Sequence, residues 1–407
     1  MKFTIGSRLS LYISVLLTIS ITLFLTWNSA KGWLSYVYAE DPPPAGLNEA
    51  IQVESENSQL YFLLAQYYEN YDFTAPREKI FELYRKALQL NPLNYNYWYY
   101  LAEFLSTEGK REKALYALNQ ATQLAPGVVS LRWAAGILAS RLGDEEALKR
   151  NLHAVIEYDT ERRRKAFIVL WQSLRNGDSI LPVIPETALD DYLNFLMDTD
   201  RISEAQKVWG KLSDTDEISE YTFLRYVSTL INKNMARSAK NAWAGKYGDW
   251  EGIWNGDFEK GLTNSGFDWT FSSVKGAQVK LETNKDRGNS VRIEFDGSTN
   301  IDFYHFRQNI PVEEHTEYKL SSLMRSRDLP TKNGPFWEIY CIQTSELNVK
   351  SEEILGTTDW HPVSVTFETP RGCELLSIVL RRYTSSRVYG NIAGTVWIDD
   401  VSLKKIR

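Results

Sequence analysis

At 407 residues the chain is long enough for two domains, at roughly one per 150 residues. Its 43% hydrophobic and 24% charged residues are those of an ordinary globular protein, and a net charge of −6 argues against a nucleic-acid partner, which favours basic surfaces. The 13 Trp, 23 Tyr and 17 Phe suit helix packing, and they also suit flat apolar ligands such as sugar rings.

In chain order, the first predicted element is a membrane helix. Leu9 to Trp27, LSLYISVLLTISITLFLTW, carries no charge and approaches the ~20 residues that span a bilayer. Lys2 and Arg8 before it place the N-terminal tip in the cytoplasm by the positive-inside rule, and the rest of the chain on the far side. Trp27, Trp33, Tyr36 and Tyr38 suit an interfacial belt. The expectation is a single-pass protein of the inner membrane with its bulk in the periplasm. The competing reading, a cleaved export signal, also exports the chain. AEDPPPAG (39–46) reads as a stiff spacer within 31–56.

From about residue 57 to 250 apolar residues recur at helical spacing. KALQLNP (86–92) realigns with QATQLAP (120–126), and Gly109 with Gly143, each at a shift of 34. In the second copy Trp98, Leu101, Ala102, Leu105, Ala114, Leu118, Ala121 and Pro126 stand at signature positions. The segment resembles the tetratricopeptide repeat, helix pairs that stack into a solenoid because one pair alone cannot bury its apolar faces. DTDRISEAQKVWGKL (198–212) looks like a further repeat, and four to six helix pairs are expected. The resemblance implies a protein partner, with Tyr95, Trp98 and Tyr99 as candidate contacts; inter-repeat packing explains the same residues. ERRRK (161–165) reads as a solvated face.

After Trp254 the period changes to two. VRIEF (291–295) and VSVTF (363–367) alternate apolar and polar residues between Gly-rich turns, which predicts an all-β sandwich or jelly roll over 251–407. The fold class is therefore multidomain α plus all-β: one transmembrane helix (1–30 with its tip), a tetratricopeptide-type solenoid, then the sandwich. Cys341 and Cys373, on or beside different strands, form either a disulfide or two buried thiols.

NGDFEKG (255–261), GFDW (266–269) and the terminal WIDDVSL (397–403) are similar to the first and last strands of jelly-roll carbohydrate-binding modules. The resemblance implies adjacent terminal strands and a structural Ca²⁺ held by Glu259, Asp399, Asp400 and Asp257. Counting by twos places Asp399 on the face of Trp397, Val401 and Leu403, where a carboxylate needs a partner; an Arg or capped amides would serve as well. Trp269, Tyr304, Trp337, Tyr340, Tyr383 and Tyr389, with Arg387, are the candidate carbohydrate contacts, Phe306 a further one, each with core packing as the competing reading. No nucleophile elbow, zinc spacing or phosphate loop is present, and His305 in DFYHFRQ stands isolated, so the expectation is a non-catalytic protein. Together the segments resemble membrane-anchored bacterial proteins of surface polysaccharide production. The leading expectation is an adaptor whose repeats dock a protein and whose sandwich contacts a glycan. The alternatives are a protein-only scaffold and a polysaccharide-modifying enzyme.

Overall fold

A computed structural model describes residues 8–213, 218–285, 287–386 and 390–406, with no side-chain description for residues 8–10. Its contacts form two compact units, residues 1–192 and 193–407.

The first unit opens with α1 (Arg8–Ala39), whose 32 residues would extend about 48 Å at 1.5 Å per residue. Within it Leu11–Ala39 is long and apolar enough to cross a membrane. The expected spacer is absent. Residues 31–39 continue α1, and the prolines form a tight corner that folds α2 (Ala45–Val53) back onto its last turns. The corner needs Gly46, because a Cβ there would lie 2.3 Å from the Tyr38 carbonyl oxygen.

Helix pairs follow: α3 (Ser58–Asn70) with α4 (Arg77–Leu90), α5 (Tyr95–Thr107) with α6 (Arg111–Leu124), and α7 (Val129–Leu142) with α8 (Glu145–Tyr158). Asn57, Asn94 and Asp144 cap three of these helices by accepting from the backbone N–H groups of Gln59, Asn96 and Ala147. The fully buried Ala102 and Ala114 let α5 and α6 close on each other. A tie recurs with the repeat. Arg77 reaches Glu108 in the next turn (2.6 Å), and Arg111, 34 residues later, reaches the Leu142 carbonyl (2.8 Å). In α9 (Arg163–Leu174) and the turn before it, two residues of the ERRRK run serve the fold. Arg163 pairs with Asp191 (2.7 Å), and Arg162 reaches back to Asp159. The short α10 (Gly177–Ile180) follows, and α11 (Leu189–Asp198) runs across the division between the two units.

The second unit holds α12 (Ile202–Leu212), α13 (Glu220–Asn232), α14 (Ala236–Tyr247) and two five-stranded antiparallel sheets. The strands are β1 (Thr270–Phe271), β2 (Ala277–Asn284), β3 (Gly288–Asp296), β4 (Phe303–Pro311), β5 (Glu317–Leu329), β6 (Phe336–Cys341), β7 (Asn348–Lys350), β8 (Gly356–Glu368), β9 (Leu375–Arg382) and β10 (Ala393–Lys405). One sheet runs β1-β4-β9-β6-β7 and the other β2-β3-β10-β5-β8, sandwiching a core that includes Ile293, Leu320, Ile339, Ile378 and Ile398. Cys341 and Cys373 are joined in a disulfide, their Cα atoms 5.8 Å apart.

Of these helices, α14 is bound to the sandwich by aromatic packing, and α13 by hydrogen bonds at Ser228, which accepts from the Gly266 backbone N–H (2.9 Å). Trp243 of α14 is fully buried among Phe223, Trp254 and Phe267, with ring centroids 5.4–5.9 Å apart. Gly266, at φ 63°, is the seat of that ring, since a Cβ there would lie 2.3 Å from it. The glycine of the GFDW motif thus serves the helix–sheet joint.

Candidate binding surfaces

In the first unit a groove of about 500 Å³ opens between α4, α5 and α6. Its floor is apolar: Phe81, Leu88, Trp98, Leu101, Leu105 and Tyr116. Trp98 donates its indole N–H to the Pro92 carbonyl (2.8 Å) and meets Tyr116 edge-on at 6.1 Å, which fixes both rings. Tyr116 remains 61% exposed. Of the three candidate contacts only Trp98 lines this groove. Tyr95 and Tyr99 pack with it on Ala121, Ala125 and Leu131, where the second repeat meets the third. Tyr99 also donates to Glu103 (2.6 Å), and burial followed by that carboxylate pushes its phenol well above the usual range.

On the sandwich the candidate carbohydrate contacts separate into two groups. Trp269 and Trp337 are fully buried and cannot act as platforms. Trp269 stacks on Phe306 at 4.6 Å, itself buried, and donates to the Asn255 carbonyl, while Trp337 donates to Ser322 (2.8 Å) between the sheets. Core packing wins at all three. Tyr304, Tyr340 and Tyr383 lie at the surface of the β1-β4-β9-β6-β7 sheet, Tyr304 being 48% exposed. The Arg381 guanidinium sits between two of them, 5.1 Å from the Tyr304 ring and 4.8 Å from Tyr383, and Lys350 covers Tyr383 at 4.4 Å. Asp302 (3.1 Å) and Glu338 (3.5 Å) neutralise Arg381, and Tyr383 donates to Glu338 (2.7 Å). His305 stacks on Tyr304 at 4.4 Å; burial, reinforced by Arg381 and Arg307 against the opposing Asp302, lowers its pKa. Arg387 and Tyr389 lie outside the described residues.

The carboxylates proposed for Ca²⁺ are not gathered into one set: Asp257 and Asp400 line one small hollow, while Glu259 and Asp399 are taken up by other groups, so the donor set does not fit the ion. Glu259 accepts from the Asn289 backbone N–H (2.6 Å), and Asp257 from that of Glu259 (3.3 Å). Asp399 and Asp400 each receive Arg287, at 3.2 Å, so a guanidinium stands where a cation was expected. Among the described residues no three of His, Cys, Asp and Glu are grouped to hold a metal. The count by twos fails for a structural reason. A bulge between Asp399 and Ser402 shifts the register, with Asp400 at φ 49°. Val401 and Leu403 therefore join the core, while Trp397 and Asp399 fall on the other face of the sheet, where both are covered by side chains and stay buried.

Residues 83–116 match the tetratricopeptide repeat. No curated protein matches the chain. Among solved structures, the enzymatically active domain of bacteriophage CBA120 tailspike protein 4 is 14% identical over 38% of this chain and 21% of its own, with a TM-score of 0.28. The matched part thus spans about a fifth of that protein. The carbohydrate-binding module TmCBM61, solved with β-1,4-galactotriose, is 16% identical over 39% of this chain and 100% of its own, with a TM-score of 0.28. A tetratricopeptide repeat protein of Parabacteroides merdae is 16% identical over 50% of this chain and 85% of its own, with a TM-score of 0.29.

Two residues of the sandwich carry structure that the sequence reading passed over. Asp268, in GFDW, is buried and accepts from the backbone N–H groups of Thr263 (2.6 Å) and Trp269 (2.8 Å); burial raises its pKa against those bonds. Gln308 is buried and exchanges two hydrogen bonds with the Trp254 backbone, imitating a strand partner. An acid next to Trp in GFDW was visible in the sequence; a polar position inside the β4 alternation gave no warning of its partner.

Proposed function

We propose that this chain is a non-catalytic, membrane-tethered adaptor. Its tetratricopeptide repeats dock a protein segment, and its sandwich contacts a polysaccharide during surface polysaccharide assembly or export. The observation that carries the reading is the groove at Trp98 and Tyr116: apolar, open, and built from rings whose positions are already fixed. Preorganised aromatic pockets of this kind anchor protein segments through one or two inserted side chains. The Tyr304–Arg381–Tyr383 stack, exposed at Tyr304, supports the glycan contact. The nearest carboxylates, Asp302 and Glu338, hold Arg381, which fits a binding role better than acid–base work across a cleft.

A photo-crosslinker at Tyr116, in the full chain in its own membrane, is expected to trap one protein, and Trp98→Ala is expected to abolish the adduct. An adduct pattern unchanged by Trp98→Ala would sink the docking reading. For the sandwich, affinity electrophoresis of the full chain in uncharged detergent against neutral polysaccharides is expected to show retardation that Tyr304→Ala removes.

A further inference from the structure

The outer face of the β2-β3-β10-β5-β8 sheet carries an arrangement that neither groove nor tyrosine stack uses. On β5, Arg325 and Arg327 both point outward and both cover the Trp397 ring of β10, at 5.1 and 5.4 Å from its centroid. Trp397 is 7% exposed, so the indole is the bed for two guanidinium groups and offers no platform to a sugar. Its N–H points to Glu282 (3.3 Å).

Neutralisation separates these two arginines from their neighbours. Arg292 has Glu294 (2.6 Å) and Glu282 (3.5 Å), Arg287 has Asp399 and Asp400, and Arg381 on the other sheet has Asp302 and Glu338. Among the described residues, neither Arg325 nor Arg327 has a carboxylate partner. The same face sets like charges against each other: Lys319 of β5 lies directly across from Lys404 of β10. Like charges directly opposite on adjacent strands oppose folding. A fold keeps such contacts at a cost that a bound anion removes.

Two guanidiniums held side by side on one ring, each with its donor fork free, match an oxyanion in planar, bidentate geometry. The further lysines lie along β5 and β10, six residues from Arg325 on β5, or about 20 Å of strand. That spread fits a repeating anion better than a single one. We infer that this face binds a carboxylate-bearing polysaccharide, with Arg325 and Arg327 gripping one uronate and Lys319 and Lys404 meeting others. The inference rests on the glycan reading above and names the class of glycan.

The test is affinity electrophoresis of the full chain in uncharged detergent, in gels carrying polygalacturonate, dextran sulfate or a panel of neutral polysaccharides. Retardation by polygalacturonate is expected, weakening as salt rises from about 50 to 500 mM. Arg325→Gln with Arg327→Gln should weaken it about tenfold or more, the scale of losing charge-assisted pairs. Tyr304→Ala, on the opposite sheet, should leave it unchanged. Arg292→Gln, whose guanidinium is already paired, should also leave it nearly unchanged. Unaltered melting of the double variant shows that it folds. Equal retardation of wild type and double variant would overturn the inference, as would retardation by dextran sulfate without polygalacturonate. If a neutral polysaccharide is bound through Tyr304 and polygalacturonate is not, only this inference falls. If no gel retards the chain, the glycan reading falls with it.

Discussion

Two sets of helices in this molecule are held by different means. In the first unit, α3 to α8 stack through small residues such as Ala102 and Ala114, and through a tie that recurs every 34 residues at Arg77 and Arg111. In the second unit, α14 packs Trp243 between Phe223 of α13 and Trp254 and Phe267 of the sandwich segment, while α13 reaches that segment through Ser228, which accepts from the Gly266 backbone N–H (2.9 Å). Helical periodicity is the same signal in both cases. What covers the apolar face decides which body a helix joins, and that cover lies far away in sequence. A repeat can share its load among many similar contacts; the helix–sheet joint centres on the Trp243 ring, with Tyr247 on Trp254 and Ser228 on Gly266 beside it.

The sharpest way to break this contrast is Trp243→Ala. Deleting a fully buried Trp should cost about 3–5 kcal/mol, read from denaturant unfolding of the full chain followed by sandwich fluorescence and helical dichroism. Unfolding of the sandwich at an unchanged midpoint would show that the joint is not shared. Gly266→Ala should cost less, about 1–3 kcal/mol, from a left-handed φ and a contact with the Trp243 ring. If it melts like wild type, the ring has another seat. The smallest effect belongs to Glu220, at the start of α13, which receives Lys246 and Tyr247 from the end of α14. Burial opposes ionisation there, but these partners prevail and hold the carboxyl below its ordinary value. A depressed carboxyl stabilises above the unfolded pKa, and that contribution disappears as pH falls through the folded pKa. Glu220→Gln should therefore cost under about 1 kcal/mol at neutral pH, after screening at this partly exposed site, and nothing in strong acid. A difference that persists at low pH would point to packing instead.

The larger architecture was legible because it rests on periodicities: 34 residues between KALQLNP and QATQLAP, two residues in VRIEF and VSVTF, and an uncharged run at 9–27. The site was less legible because identity does not fix depth. Trp269 and Trp337 read as platforms as readily as Tyr304 does, yet the sheets close over the first two and leave the third outside. Charge partners were hidden as well. Arg287 and Asp399 are 112 residues apart, and nothing local to WIDDVSL announces a guanidinium. AEDPPPAG misled differently: prolines that stiffen a linker also make a corner when Gly46 lets two helices meet.

The irregularity at Asp399–Ser402 has one more consequence. A strand is a sequence of alternating parities, and this one changes parity once along its length. Before the change, odd positions look outward and supply Trp397; after it, odd positions look inward and supply Val401 and Leu403. A single strand can thus lend an indole to the outer surface at one end and aliphatic bulk to the interior at the other. Removing one residue between them would restore uniform alternation and force one end to surrender its face. The strand's length in residues, and not only its composition, is therefore under constraint at this point.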